Sequence, residues 1–282
     1  MSQKEGMMIR FWWLVGFVVF LLGCSALGGG PASAPRSETM APVEMKERVT
    51  DGVPMMFVPA GEFLMGNSNA KEETNGKESP QHQVYLDAFW IDKFEVTSAQ
   101  YKKCVDAGKC AAPEKSGSET RGAYFGNAQY DNYPVIYVSW NNAKTYCEWA
   151  GKRLPTEAQW EKAARGTDGR NFPWGNTFDQ NLLNSDESKI GDTTAVGKFP
   201  NGASPYGVMD MAGNVFEWVA DWYDRDYYQN SPARNPTGPA TGDSRSYRGG
   251  SWFNDGSFAR AAARFMNVPD FALFFLGFRC VE

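Results

Sequence analysis

Few side chains in this sequence could do chemistry, and their spacing says what that chemistry would be. Glu157 and Glu161 in TEAQWEKAA stand four apart, so a helix would carry both carboxylates on one face. That spacing could be mistaken for an acid/base pair, but the reading preferred is a solvated helix face. His82, in SPQHQVYLDAF, is the single histidine. It is read as a surface strand residue, ahead of a metal triad made with distant carboxylates. The stretch SYRGGSWFND sets two glycines, Gly249 and Gly250, before Ser251, Trp252, Asn254 and Asp255. Paired glycines suggest a turn pressed against a ligand or a neighbouring strand, because glycine takes positive φ at little cost. These residues form the candidate cleft.

The elements that must position these groups follow from periodicity and caps. VTSAQYKKCVDAG offers Thr97 as N-cap with Gln100 three residues on, and Gly108 as a stop. SWNNAKTYCEWAG runs from Ser139 to Gly151, and LPTEAQWEKAARG pairs Thr156 with Gln159 and ends at Gly166. MMFVPAGEFLMG reads as a strand, a Pro-Ala-Gly turn and a second strand. Beyond Gly166 helical period is lost and turn residues dominate. Ten tryptophans then require a packed but irregular domain, since each must also place an indole N–H.

Composition narrows the class. The chain of 282 residues is 42% hydrophobic and carries a formal net charge of -5 with no dense Lys/Arg run. Length allows one large domain, and the charge excludes nucleic acid or an anionic membrane surface as the main partner.

The N-terminus is a different kind of sequence. Phe11 to Gly23 is an apolar run too short to span a bilayer as a helix but suited to a signal peptide. Met7 or Met8 would serve as a start that places Arg10 at its head. The run closes on LLGC and resembles the lipobox of bacterial lipoproteins, in which the cysteine, here Cys24, is acylated. The alternative is a short membrane anchor with an incidental cysteine. Acylation also settles the odd count of cysteines. Of the other four, Cys104 and Cys110 lie close with Gly108 to turn between them, which leaves Cys147 for Cys280, in an oxidising compartment. Ser25 to about Val49 is small and proline-bearing, and reads as a tether. The expected organisation is a signal peptide over 1–23, a tether over 24–50 and a folded domain over 51–282. The protein would be lipid-anchored outside the cytoplasm, on the outer membrane where the host has one.

GEFLMG, IDKFEVTSAQY, GKRLPTEAQWEKAARG, FPWGN, YGVMDMAGNVFEWVADWY, RGGSW, RAAAR and GFRC occur in order and together resemble the sulfatase-modifying-factor family, that of the formylglycine-generating enzyme. The resemblance covers Val53 to Glu282. It implies a single irregular α+β domain of low secondary-structure content, similar to the C-type-lectin superfold, and a Cys147–Cys280 bridge. It also implies calcium held by the side chains of Asp210 and Glu217 and the carbonyls of Gly213 and Val215. A further calcium site is implied at Asn184 and Ser185, although the motif is shortened near Asp192. Oxygen ligands of mixed type suit calcium; the alternative is that Asp210 caps a turn and Glu217 pairs with an arginine. Arg260 and Arg264 are expected to pair with buried carboxylates, and the FALFFLGF aromatics to lie in the core or an oligomer contact.

The family's oxidases hold copper(I) between two cysteines that follow the GGS motif. Here Asn254 stands where the first is expected, and no cysteine occurs between Ser251 and Arg279. Copper(I) prefers thiolates, so no copper is expected. A second branch uses iron held by three histidines, which one histidine cannot supply. The expectation is a binding or scaffold module for a peptide, a glycan or an envelope protein, with a divergent oxidoreductase as the alternative.

Overall fold

A computed structural model describes residues 43–47, 50–69 and 78–282. Cys24, the signal peptide and most of the tether lie outside the described residues. Among those described, no helix is long and apolar enough to cross a membrane.

Three helices form where the caps place them. α1 (Ser98–Asp106) starts on Thr97, whose side chain accepts from the Gln100 N–H while the Gln100 side chain reaches back to the Thr97 N–H. α2 (Trp140–Trp149) is capped by Ser139. α3 (Glu157–Arg165) repeats the reciprocal cap with Thr156 and Gln159 and stops at Gly166, at φ 72°.

The strands make three small sheets. β1 (Met45–Glu47), β2 (Pro54–Val58) and β5 (Phe89–Asp92) form one antiparallel set in the order β1-β2-β5. β3 (Gly61–Met65) pairs with β4 (His82–Leu86) in a second. The Pro-Ala-Gly turn therefore carries the chain from one sheet to another and closes no hairpin. β1 falls inside the span read as a tether: it pairs with β2, and Lys46 reaches Glu282 at 2.7 Å. The third sheet, β6 (Phe216–Trp222), β7 (Arg245–Arg248), β8 (Phe265–Asn267) and β9 (Leu276–Phe278), runs in the order β8-β7-β6-β9, with β9 parallel to β6.

Two main apolar clusters hold these elements. One gathers Tyr101, Tyr146, Trp218 and Phe278 around α1 and α2; the other packs α3 through Trp160 against Val58, Phe63 and Ile91. Both expected disulfides are present, Cys104–Cys110 and Cys147–Cys280. The latter ties α2 to the chain end across 133 residues.

Every residue of α3 is buried, which corrects the reading of Glu157 and Glu161 as a solvated face. They are 2% and 0% exposed, because the helix is wrapped on several sides and its charges are met by arginines from elsewhere. Arg264 grips Glu157 at 2.7 and 2.8 Å, Arg248 reaches both glutamates, and Arg165 meets Glu161 at 2.8 Å. Burial opposes ionisation of Glu157, yet Arg264 and Arg248 hold its carboxyl below the usual range. Arg260 binds Glu78 at 2.6 Å, so both arginines of RAAAR pair with buried acids as expected.

Candidate functional site

The Gly-Gly turn leaves β7 with Gly249 at φ 103° and Gly250 at φ 73°. A Cβ on Gly250 would stand 2.8 Å from Ala259 Cα, and one on Gly249 would stand 3.1 Å from the Trp160 ring. The turn is thus pressed against its own chain, and the glycines serve close backbone packing. It is tied down by Gly213 N–H to the Gly249 carbonyl (2.8 Å) and Trp252 N–H to the Asn214 carbonyl (3.0 Å).

Beyond the turn the stretch rises to the surface. Gly249 to Trp252 are buried, Phe253 is 54% exposed, and Asp255 is exposed. The Ser251 hydroxyl donates to Asn254 Oδ1 at 2.6 Å, and the Asn254 carbonyl accepts from Asp186 N–H at 2.9 Å. Asn254, at the position expected of a thiolate, is therefore engaged within its own loop. All four cysteines among the described residues are consumed by bridges. Phe253 packs on Phe274 and Phe275, at centroid distances of 5.3 and 5.8 Å. Part of FALFFLGF thus joins this surface, and Phe271 is 43% exposed.

The calcium positions divide. Around Asn184, the side-chain amide donates to the Asp192 carbonyl (2.9 Å) and its oxygen accepts from Ser188 (3.1 Å). The Ser185 carbonyl accepts the Ser188 hydroxyl at 2.7 Å. Asp192 receives Ser118, Thr120 and, at 3.0 Å, the Arg121 guanidinium. Burial opposes its ionisation, but those hydrogen bonds hold its carboxyl below the usual range. The Asn184 side chain and the Ser185 carbonyl are thus engaged by protein partners, and the charge of Asp192 is met by Arg121.

At the other site, Glu217 is taken up by protein donors: Arg279 binds both its oxygens, at 2.6 and 2.7 Å, and the Trp160 indole donates at 2.8 Å. Pairing with an arginine, the alternative reading, is what the structure holds. Asp210 differs. Its backbone sits at φ 57° and its carboxylate accepts from Gly197 N–H at 2.6 Å. Burial raises its pKa and the Glu217 charge adds to this, while the Gly197 N–H, the Arg279 charge and a hydrogen bond with Glu95 oppose it. Glu95 is 1% exposed, and its Oε2 has no hydrogen-bond partner. Burial lifts the Glu95 carboxyl well above the usual range, and Asp210 adds to the effect. Two abutting buried carboxyls, one with an orphaned oxygen, fit a hard cation. Among the described residues no three His, Cys, Asp or Glu side chains converge to hold a metal, so backbone carbonyls such as those of Gly213 and Val215 would have to complete the shell. Glu95 escaped the sequence reading; its one signal was an acid set between the apolar Phe94 and Val96.

His82 lies in β4 as expected but is only half-exposed, packed edge-on against Tyr228 at 4.9 Å with Nδ1 on the Pro80 carbonyl. These partners, Tyr228 and Pro80, belong neither to the Gly249–Asp255 turn nor to the Asp210 and Glu95 pair.

Comparison with known proteins places this geometry in a family. The chain is 36% identical over 306 residues to the formylglycine-generating enzyme of Streptomyces coelicolor, covering 90% of this chain and 92% of that one. It is 34% identical over 280 residues to the inactive C-alpha-formylglycine-generating enzyme 2 of Mus musculus, covering 81% and 85%. The solved structure of PvdO from Pseudomonas aeruginosa superposes with a TM-score of 0.72 at 27% identity, over 84% of this chain and 97% of that one. With residues 41–282 matching the sulfatase-modifying factor enzyme 1-like domain, the chain belongs to the sulfatase-modifying-factor family.

Proposed function

We propose that this domain is a non-catalytic binding or scaffold module of the cell envelope, anchored through an acylated Cys24. The observation that carries this reading is at Asn254: a neutral amide bound to Ser251 replaces the thiolate, and no free thiol remains among the described residues. Amide and hydroxyl groups are poorly matched to copper(I). A surface bearing Phe253, Asn254 and Asp255 suits a peptide, a glycan or an envelope protein, since an exposed aromatic with polar neighbours can stack and orient a ligand. The relative named inactive supports this reading, and the identity to the Streptomyces enzyme supports the alternative of a divergent oxidoreductase. Calcium, on this reading, is structural, held by Asp210 and Glu95 with carbonyl oxygens.

The test loads the purified domain with copper(I) and supplies a cysteine peptide of the kind sulfatases carry. Mass spectrometry is expected to find the cysteine unchanged; time-dependent formylglycine formation would overturn the non-catalytic reading.

A further inference from the structure

A cleft of about 700 Å³ opens between the β4–β5 connection, α2, the start of α3 and the segment at Asn235–Thr237. It contains no residue of the Gly249–Asp255 turn, so it is separate from the surface discussed above. Its size is that of a small-molecule pocket.

The charges around it do not balance. Its acids are already met by cations: Glu148 by Lys144 at 2.9 Å, Glu282 by Lys46 at 2.7 Å, and Asp87 by Arg234. Its two arginines are not so met. Among the described residues, every arginine except Arg153, Arg245 and the exposed Arg225 makes an ion pair. Arg153 and Arg245 both line this one cleft.

Each of the two is held in place without being neutralised. The Arg245 guanidinium is stacked between Trp140 and Trp222, at 3.7 and 3.4 Å from their ring centroids, and one of its N–H groups donates to the Ala220 carbonyl at 2.7 Å. Arg153 donates to Gln159 Oε1 at 2.7 Å and to the Leu154 carbonyl. Aromatic faces and neutral oxygens fix a guanidinium's orientation, but they leave its charge for another group to meet. Burial pushes both guanidiniums below their ordinary pKa, with the Asp221 charge opposing. Apolar walls from Leu86, Phe89 and Leu154 complete the lining.

We propose that this cleft is a binding site for a small organic anion, with an apolar or aromatic body against the walls and an anionic oxygen group, carboxylate or phosphate, on Arg153 and Arg245. The proposal is independent of the non-catalytic reading, since it uses none of the residues on which that reading rests.

The test titrates 3-phenylpropionate, phenyl phosphate and the neutral 3-phenylpropanol into the purified domain, by calorimetry and by tryptophan fluorescence. At least one anion is expected to bind with a dissociation constant below 1 mM, tenfold or more tighter than the alcohol, because a charge-assisted hydrogen bond contributes about that factor or more. The preferred anion distinguishes a carboxylate from a phosphate ligand. Arg153→Gln and Arg245→Gln are each expected to weaken anion binding about tenfold while leaving the alcohol unaffected. A failure of both anions to bind below 1 mM, equal binding of the alcohol, or unchanged binding by Arg153→Gln would overturn the proposal.

Discussion

The Arg279 guanidinium lies along the Glu217 carboxylate with both oxygens engaged, at 2.6 and 2.7 Å, and both side chains are essentially inaccessible to solvent. Arg279 also donates to the Met209 and Asp92 carbonyls, and its neighbour Cys280 closes the bridge to α2. The C-terminal segment is thereby fixed to β6 by a charge pair and to α2 by a covalent bond.

Breaking that pair on one side leaves a buried charge without compensation, which costs about 3–5 kcal/mol. Arg279→Met should lower unfolding stability by that order in urea titrations. The double variant with Glu217→Gln should lose less than the sum of the two single losses, because the orphaned charge is gone. A loss below about 1 kcal/mol for Arg279→Met would mean that Glu217 has another cation.

The two disulfides should differ in weight. Cys147–Cys280 closes a loop of 133 residues and Cys104–Cys110 one of 6, and loop entropy favours the longer closure. Removing Cys147–Cys280 by paired serine substitution should cost about 2–5 kcal/mol, and removing the short bridge distinctly less. Thermal denaturation of the two double variants ranks them; equal losses would contradict the loop argument.

Asp221 sets a pH dependence. Burial, reinforced by Glu157, raises its pKa to about 7 in the folded chain, against a carboxylate's ordinary value when unfolded. Between those values the folded state holds a proton that the unfolded state has lost, so this group lowers stability as pH rises from about 4 to about 7. Asp221 accepts the Glu157 N–H at 2.8 Å, a role an amide oxygen can keep. Asp221→Asn should therefore stabilise the domain at pH 8 and be neutral below about pH 4. Stability curves of the two proteins that run parallel across that window would exclude the effect.

The helices were legible because each carries its own start and stop: Thr97, Ser139 and Thr156 cap their helices in the structure as they do in the sequence. Sheet partners were not legible, since the order β8-β7-β6-β9 depends on contacts between distant segments with no local signature. The misreading of Glu157 and Glu161 has the same origin. A helix that carries four charged residues in EAQWEKAAR looks solvated until Arg248 and Arg264, some hundred residues on, are known to cover it. In the candidate site the missing thiolates could be read directly, whereas the orphaned oxygen of Glu95 is visible only in three dimensions.

Calcium should act through Asp210. Millimolar calcium is expected to raise the melting temperature of the wild-type domain, with a stabilisation of about 2.7 kcal/mol at a hundredfold excess over the dissociation constant, and a chelator should reverse it. Asp210→Asn keeps a residue suited to the left-handed backbone at φ 57° but removes a charged ligand, and should abolish most of the rise. A rise of equal size in that variant, or none in the wild type, would remove calcium from the site.

The last prediction concerns rescue at Asn254. Its side chain is bonded to Ser251 and its carbonyl to Asp186, so the backbone that would present a thiolate is already ordered. Asn254→Cys should fold, because the position is part-exposed and the side chain shrinks. A single thiolate still leaves copper(I) without the second soft ligand that a two-thiolate site supplies. Nothing nearby can stand in, since every other described cysteine is bridged. The variant should therefore titrate one free thiol and bind copper(I) more tightly than the wild type, yet produce no formylglycine above background in the peptide assay. Formylglycine formation by Asn254→Cys would show that the rest of the machinery is intact and that this chain lost its chemistry by that one residue alone.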